Sequence, residues 1–193
     1  MLPEVVLTLV TREDVQRLAQ WLEDDEVNSS WYGRGEDGGP LHTGYRPAEM
    51  VNSSAQQWAE VFQNDDRKIF SVRNRDGEHI GEGQLVIEPA LVEAKLFLII
   101  GRKDLWGHHY GTTALLKLLD QAFWTYQLHR VWADVPEYNK PALQMFQQVG
   151  FVLEGHLRGT HRKDGRWYDS SALGLLSDEY TRRRARLVGS PAG

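Results

Sequence analysis

One stretch of this chain has residue types and spacing that could hold an anion: Ile99-Ile100-Gly101-Arg102-Lys103-Asp104-Leu105-Trp106-Gly107-His108-His109-Tyr110-Gly111-Thr112. An apolar run suited to a buried strand ends, a turn follows, and a helical pattern begins. A turn that opens into a helix N-terminus presents backbone N–H groups without partners, and the helix dipole adds partial positive charge. Both favour a phosphate, and Arg102 and Lys103 add cations nearby. Other chemistries are excluded by what the chain lacks. It has no G-x-S-x-G elbow, no H-E-x-x-H and no G-x-x-x-x-G-K-[ST] loop. With no cysteines, it has no disulfide, thiolate zinc site, iron–sulfur cluster or cysteine nucleophile. The seven histidines show no metal spacing, and the adjacent His108 and His109 read as a solvated pair, so no metal is expected.

The elements that must position this turn can be read from periodicity. Residues 4–10 form a strand, followed by a helix capped by Thr11 with Glu13 and Asp14 in its first turn. Glu23-Asp24-Asp25-Glu26 closes that helix and begins an irregular region. Residues 27–47 hold five glycines and two prolines with Trp31, Tyr32 and Tyr45, a long loop of the kind that carries function. A second helix spans 47–63, with Trp58, Val61 and Phe62 as its buried stripe; Trp21 and Trp58 belong to the core. Strands follow at 68–73, 79–87 and 94–101. The last, through Leu96-Phe97-Leu98-Ile99-Ile100, is apolar enough to be covered on both faces. Then come a helix over 111–126, a strand at 130–135, a helix over 139–149 and strands at 151–157 and 167–176. The order β-α-α-β-β-β-α-β-α-β-β is one mixed α/β domain over 1–180. It lacks the regular alternation of a doubly wound nucleotide fold. Residues 181–193 are a basic tail, frayed or a short helix end.

At this point the sequence resembles a known family. Trp106-Gly107-x-x-Tyr110-Gly111-Thr112-x-Ala114-Leu115 is similar to the pyrophosphate loop of the GNAT N-acetyltransferases. So is the later series Asn139-Lys140-Pro141-Ala142-Leu143, Phe146, Val149-Gly150-Phe151-Val152-Leu153-Glu154-Gly155 and Arg158. Ile80-Gly81-Glu82 and Asp164-Gly165-x-x-x-Asp169 fit the branch that includes ribosomal-protein N-terminal and spermidine acetyltransferases. Each fragment is weak alone; their order and spacing over residues 5–180 are specific. The resemblance implies a GNAT fold, a predominantly antiparallel, twisted mixed sheet flanked by helices. It also implies acetyl-CoA as co-substrate and transfer of the acetyl group to a primary amine by direct attack in a ternary complex.

The implied site follows residue by residue. Trp106, Gly107, His108, His109, Tyr110, Gly111 and Thr112 form the phosphate turn. Leu98, Ile99 and Ile100 are the strand that pairs with pantetheine, and Asn139 and Phe146 contact its arm. The family's Q/R-x-x-G-x-G/A pattern falls on Trp106-x-x-His109-x-Gly111. Trp106 and His109 therefore depart from it, and the turn is expected to differ locally. Phe146 departs where many members place a tyrosine acting as general acid; phenylalanine donates no proton, and Ala142 offers no serine instead. Glu82 is the candidate base for the acceptor ammonium, against a purely positioning charge. Trp31, Tyr32, Glu82 and Tyr168 are expected at the acceptor, and Tyr138, Tyr168 and Asp169 are weaker candidates for the base.

Net charge is −5, which argues against a nucleic-acid partner. It divides unevenly. Residues 1–95 carry 9 Lys/Arg against 18 Asp/Glu, and residues 96–193 carry 13 against 9, with Arg182, Arg183, Arg184 and Arg186 supplying that excess. An acidic first half suits a cationic acceptor: a small amine or a peptide N-terminus. No apolar stretch approaches the ~20 residues of a membrane span, and the first residues do not read as a secretory signal. No membrane partner is expected, and the cytoplasm is the expected location. A homodimer is the expected assembly, although no residue marks an interface. Two other readings stay open: a CoA-binding sensor without turnover, motivated by Phe146, and use of another acyl-CoA.

Overall fold

The computed structural model describes residues 2–187. Seven strands, β1 (Val5–Thr8), β2 (Arg67–Asn74), β3 (His79–Glu88), β4 (Glu93–Ile100), β5 (Arg130–Pro136), β6 (Val152–Lys163) and β7 (Arg166–Leu176), form one sheet. Its order is β1-β2-β3-β4-β5-β7-β6. Every neighbouring pair is antiparallel except β4 and β5. On one face lie α1 (Arg12–Glu23), α2 (Asp25–Ser30), α3 (Pro47–Met50) and α4 (Ala55–Phe62), around a core that includes Leu18, Leu22, Ile69 and Ile99. On the other lie α5 (Tyr110–Asp120), α6 (Lys140–Val149) and α7 (Ser177–Leu187), over Leu85, Leu96, Val131 and Leu175. No helix among the described residues is long and apolar enough to cross a membrane.

Local chemistry explains where elements start and where they depart from expectation. Thr11 caps α1 in a reciprocal box: Asp14 N donates to Thr11 Oγ1 (3.2 Å) and Thr11 N to Asp14 Oδ2 (3.1 Å). The acidic run does not open an irregular region. Asp24 Oδ1 accepts from Glu26 N and Val27 N, so the run becomes the cap and first turn of α2, where acids are favoured. The helix expected over 47–63 is two pieces. Ser54 caps α4 in a box with Gln57. The Arg12 guanidinium donates to the carbonyl oxygens of Met50 (3.2 Å), Val51 (2.9 Å) and Ser53 (2.8 Å), satisfying groups that the break leaves open.

Past Asp120, a wider π turn over Gln121–Thr125 ends the long helix, with Tyr126 N donating to Gln121 O (2.9 Å). The expected strand 151–157 continues through two irregularities into β6. The expected basic tail is, through Leu187, the second half of α7. Its Arg184 pairs with Asp120 at 2.7 Å, and Tyr180 Oη donates to Asp120 Oδ1 at 2.6 Å. The rest of that tail, residues 188–193, lies outside the described residues.

One feature of the sheet positions the site. β4 and β5 pair only through Glu93–Lys95 and Arg130–Trp132. From Leu96 onward β4 keeps β3 on one side and has no ladder partner on β5, so the two strands part. Gly83, on β3, lets α5 lie close beneath: a Cβ there would be 2.6 Å from Leu118 Cδ1.

Candidate active site

Between β4 and α5 the chain runs strand, turn, helix, and this is the candidate phosphate turn. Gly101 N donates back to Ile80 O (2.9 Å), ending β4. A 3-10 turn over Lys103–Leu105 follows, then Gly107 at φ +78° and His109 at φ +62°. His109 thus takes the left-handed conformation that glycine adopts freely and histidine tolerates at a cost. It opens α5. Thr113 N is the first helical donor, to His109 O (3.0 Å). The amides of Tyr110, Gly111 and Thr112 therefore precede the ladder, and no side chain caps them. Trp106 contributes through its indole, which packs on the α1 side of the core and donates Nε1–H to Ile100 O (2.8 Å). It fixes the turn against β4. The two nearby cations are already engaged. Arg102 grips Asp104 at 2.6 Å, and Lys103 reaches Asp24 at 2.8 Å and Glu26 at 3.0 Å. The turn's positive character therefore rests on its amides.

Where β4 and β5 part, a cleft of about 50 Å³ opens. Leu98, Asn139, Phe146, Trp31 and Tyr32 line it, bringing together residues that the sequence places on one strand, one helix and one loop. Asn139 is also structural. Its Oδ1 caps α6 through Ala142 N (3.2 Å), and its Nδ2 donates to Ser30 O (2.9 Å). Tyr138 Oη donates to Trp31 O (2.7 Å), so the loop after β5 is fastened to the end of α2. Burial, then Tyr168, pushes the Tyr138 hydroxyl up to about 12, so it stays a donor at neutral pH. Phe146 is buried edge-on against Phe151, with centroids 4.9 Å apart. Tyr168 lies outside the cleft lining and packs at right angles to Tyr138. Ile99 faces the α1 side of the sheet.

Glu82 sits one layer behind the cleft, on β3. It is 4% exposed and surrounded by donors. Oε1 accepts from His42 Nε2 (3.0 Å) and Gln84 Nε2 (2.8 Å); Oε2 accepts from Tyr45 Oη. The indole of Trp31 can only donate, and it points at His42 Nδ1 (3.1 Å). His42 therefore carries its hydrogen on Nε2 and gives it to Glu82. Gln84 Oε1 accepts from Arg67 (2.5 Å), whose guanidinium pKa is lowered by burial. Burial and Glu82 together raise the Tyr45 hydroxyl well above its ordinary value. Through His42 and Trp31 this network reaches the cleft wall.

His42, Asp134 and His161 belong to the site and escape a reading of the sequence alone. Gln84 carries a faint signal, two residues from Glu82 and so on the same face of β3. His161 Nε2 lies 3.1 Å from Asp134 Oδ2, Lys95 Nζ lies 2.7 Å from Asp134 Oδ1, and Tyr32 stacks on the His161 ring at 5.6 Å. No group of three side chains able to hold a metal occurs among the described residues.

Comparison with known proteins bears on what this arrangement is. A profile described as an acetyltransferase (GNAT) domain matches residues 4–152. The chain is 33% identical over 170 residues to an uncharacterized N-acetyltransferase, p20, of Bacillus licheniformis, covering 87% of this chain and 90% of that one. It is 27% identical over 137 residues to spermidine N(1)-acetyltransferase of Vibrio cholerae, covering 71% and 79%. The solved structure of a Vibrio cholerae spermidine N-acetyltransferase with CoA and spermine superposes with a TM-score of 0.76 at 21% identity, over 92% of this chain and 98% of that one. The last likeness speaks to the fold, and the profile and the Bacillus relative speak to kinship. The chain belongs to the GNAT acetyltransferase family and is an acetyl-CoA-dependent N-acetyltransferase.

Proposed function

We propose that this chain acetylates a primary amine of a small polyamine, with acetyl-CoA and acceptor bound together and the amine attacking directly. The observation that carries this reading is the cleft between β4 and β5. The uncapped amides of Tyr110, Gly111 and Thr112 belong to the turn beyond the end of β4, and the Glu82 network backs the cleft wall. The open edge of β4 and those amides fit a long thioester with a pyrophosphate. Bound there, acetyl-CoA supplies an acetyl group activated as a thioester.

The protein's own residues do the rest. The amides, with Gly107, His108 and His109 shaping the turn and Trp106 bracing it, bind phosphate. The backbone of Leu98, Ile99 and Ile100 orients the arm beside Asn139. Phe146 keeps water from the reacting carbonyl. Trp31 and Tyr32 border the acceptor, and Tyr168 steadies that wall through Tyr138. Glu82 supplies negative charge on this side and accepts the ammonium's first proton. The acidic first half and the relative named for spermidine support a polycation. The test is CoA release across a panel of amines, with products identified by mass spectrometry. Spermidine-like amines should turn over and be acetylated. No turnover on any amine overturns the reading, and preference for a peptide N-terminus overturns the acceptor class.

A further inference from the structure

Phe146 cannot supply a proton to the departing sulfur, yet the same cleft holds a buried ring with an uncommitted nitrogen. His161, on β6, is 5% exposed and lines the cleft with Phe146 and Leu98. Its Nε2 faces Asp134 Oδ2 at 3.1 Å, and Asp134 Oδ1 faces Lys95 Nζ at 2.7 Å. Burial pushes the Asp134 carboxyl up, but hydrogen bonds from His161 and Lys95 outweigh it and bring it to about 2. A carboxylate ionised at neutral pH only accepts. In the neutral form of the ring this geometry puts the hydrogen of His161 on Nε2 and leaves a lone pair on Nδ1. Nδ1 is buried and has no hydrogen-bond partner among the described residues. Such an acceptor is costly to fold and calls for a reason. Tyr32, stacked within 6° of parallel, fixes the plane of the ring. A carboxylate orienting an imidazole whose other nitrogen is free is the arrangement of a proton-transfer base.

We propose that His161 is the proton carrier of the transfer, with Asp134 as its positioning residue. This rests on the acetyl-transfer reading above. The amine nitrogen forms the bond to the acetyl carbon while the C–S bond breaks and its electron pair leaves on sulfur. The proton that nitrogen then sheds passes to His161 Nδ1 and from Nδ1 to sulfur, so the ring ends as it began. The titratable groups against the ring are Asp134 from β5 and Tyr32 from the segment after α2; Lys95 from β4 stands behind Asp134, and Tyr168 from β7 is the cross-strand partner of His161.

Two measurements test this. Nitrogen-15 NMR of histidine-labelled protein at neutral pH should show His161 with a protonated Nε2 and a bare Nδ1; the opposite tautomer overturns the proposal, and no variant is needed. His161→Gln should lower kcat about 100-fold or more. Its acetyl-CoA affinity by calorimetry should stay within about 2-fold. Imidazole should restore part of the rate of His161→Ala, while the weakly basic ring thiazole should not. An unchanged kcat in His161→Gln, or equal rescue by both rings, overturns the carrier while the parent's turnover leaves the acetyl-transfer reading standing. A parent chain that turns over no amine sinks both.

Discussion

A carboxylate with three donors around it is an unusual base, and Glu82 is that carboxylate. His42, Tyr45 and Gln84 hold it, and their hydrogen bonds favour a second role as the anchor of the loop that carries Trp31 and Tyr45. Glu82→Gln separates the two. As a base, its loss should lower kcat by about 100-fold or more at neutral pH, recovering as pH rises and the amine arrives neutral. As an anchor only, the acceptor KM rises, kcat keeps its pH profile, and stability falls by about 1–3 kcal/mol as donors lose a charged acceptor. Full kinetics against pH, with urea unfolding, read both. A different residue sets acid stability. Burial holds His79 down to about 4 from an ordinary 6.5; Asp14 pulls it upward, and Arg17 and Arg73 act with burial. Between those pH values the unfolded chain binds more protons than the folded one, so stability falls as pH drops from 6.5 to 4 and stops falling on this account below 4. The loss is on the order of 3 kcal/mol. His79→Gln should lose that much less than the parent between the two ends of the window, measured by urea unfolding.

At the scale of elements, the turn from β3 to β4 stores strain away from the site. Val92 sits at φ +52°, where a β-branched side chain is an outlier. The conformation persists because Val92 O accepts from His129 N at 2.7 Å, binding the hairpin end to the start of β5. Val92 is 45% exposed, so its side chain gives up little packing. Val92→Gly should relieve about 1 kcal/mol and raise Tm by about 2–4 °C. An unchanged or lower Tm in a thermal melt would show that the strain is absent. The elements themselves were legible wherever the signal is local. The Thr11 cap, the strand through Leu98-Ile99-Ile100 and the phosphate turn each lie within a dozen residues of sequence. The break between α3 and α4 was not, because it is stabilised by Arg12 from another helix. His42 and Glu82 meet across 40 residues, and Asp134 and His161 across 27. No periodicity reports such pairings, so these groups of the candidate site emerge only with the fold.

At the scale of the whole molecule, the uneven charge division meets its structural test. Much of the acidic run near the acceptor side is already paired. Arg34 reaches Glu23 and Asp25, Lys103 reaches Asp24 and Glu26, and Arg162 reaches Glu36. Three cations thus answer five acids, and the surplus stays negative. On the proposed cofactor side Arg102 and Lys103 are consumed by the same kind of pairing, which leaves the neutral amides as the candidate phosphate donors. The two substrates should therefore feel salt differently. Exposed charges are screened beyond the Debye length, which shrinks from about 14 Å to about 4 Å as salt rises from ~50 mM to ~500 mM. A triamine drawn by a surplus of surface carboxylates should lose affinity several-fold over that range, a monoamine less. Acetyl-CoA, gripped by hydrogen bonds at contact distance, should change by about 2-fold or less. Steady-state KM values for both substrates against NaCl, with kcat followed alongside, measure this. If acetyl-CoA is the salt-sensitive partner and the triamine is not, the cofactor is held by a field of free cations, and the paired state of Arg102 and Lys103 does not govern binding.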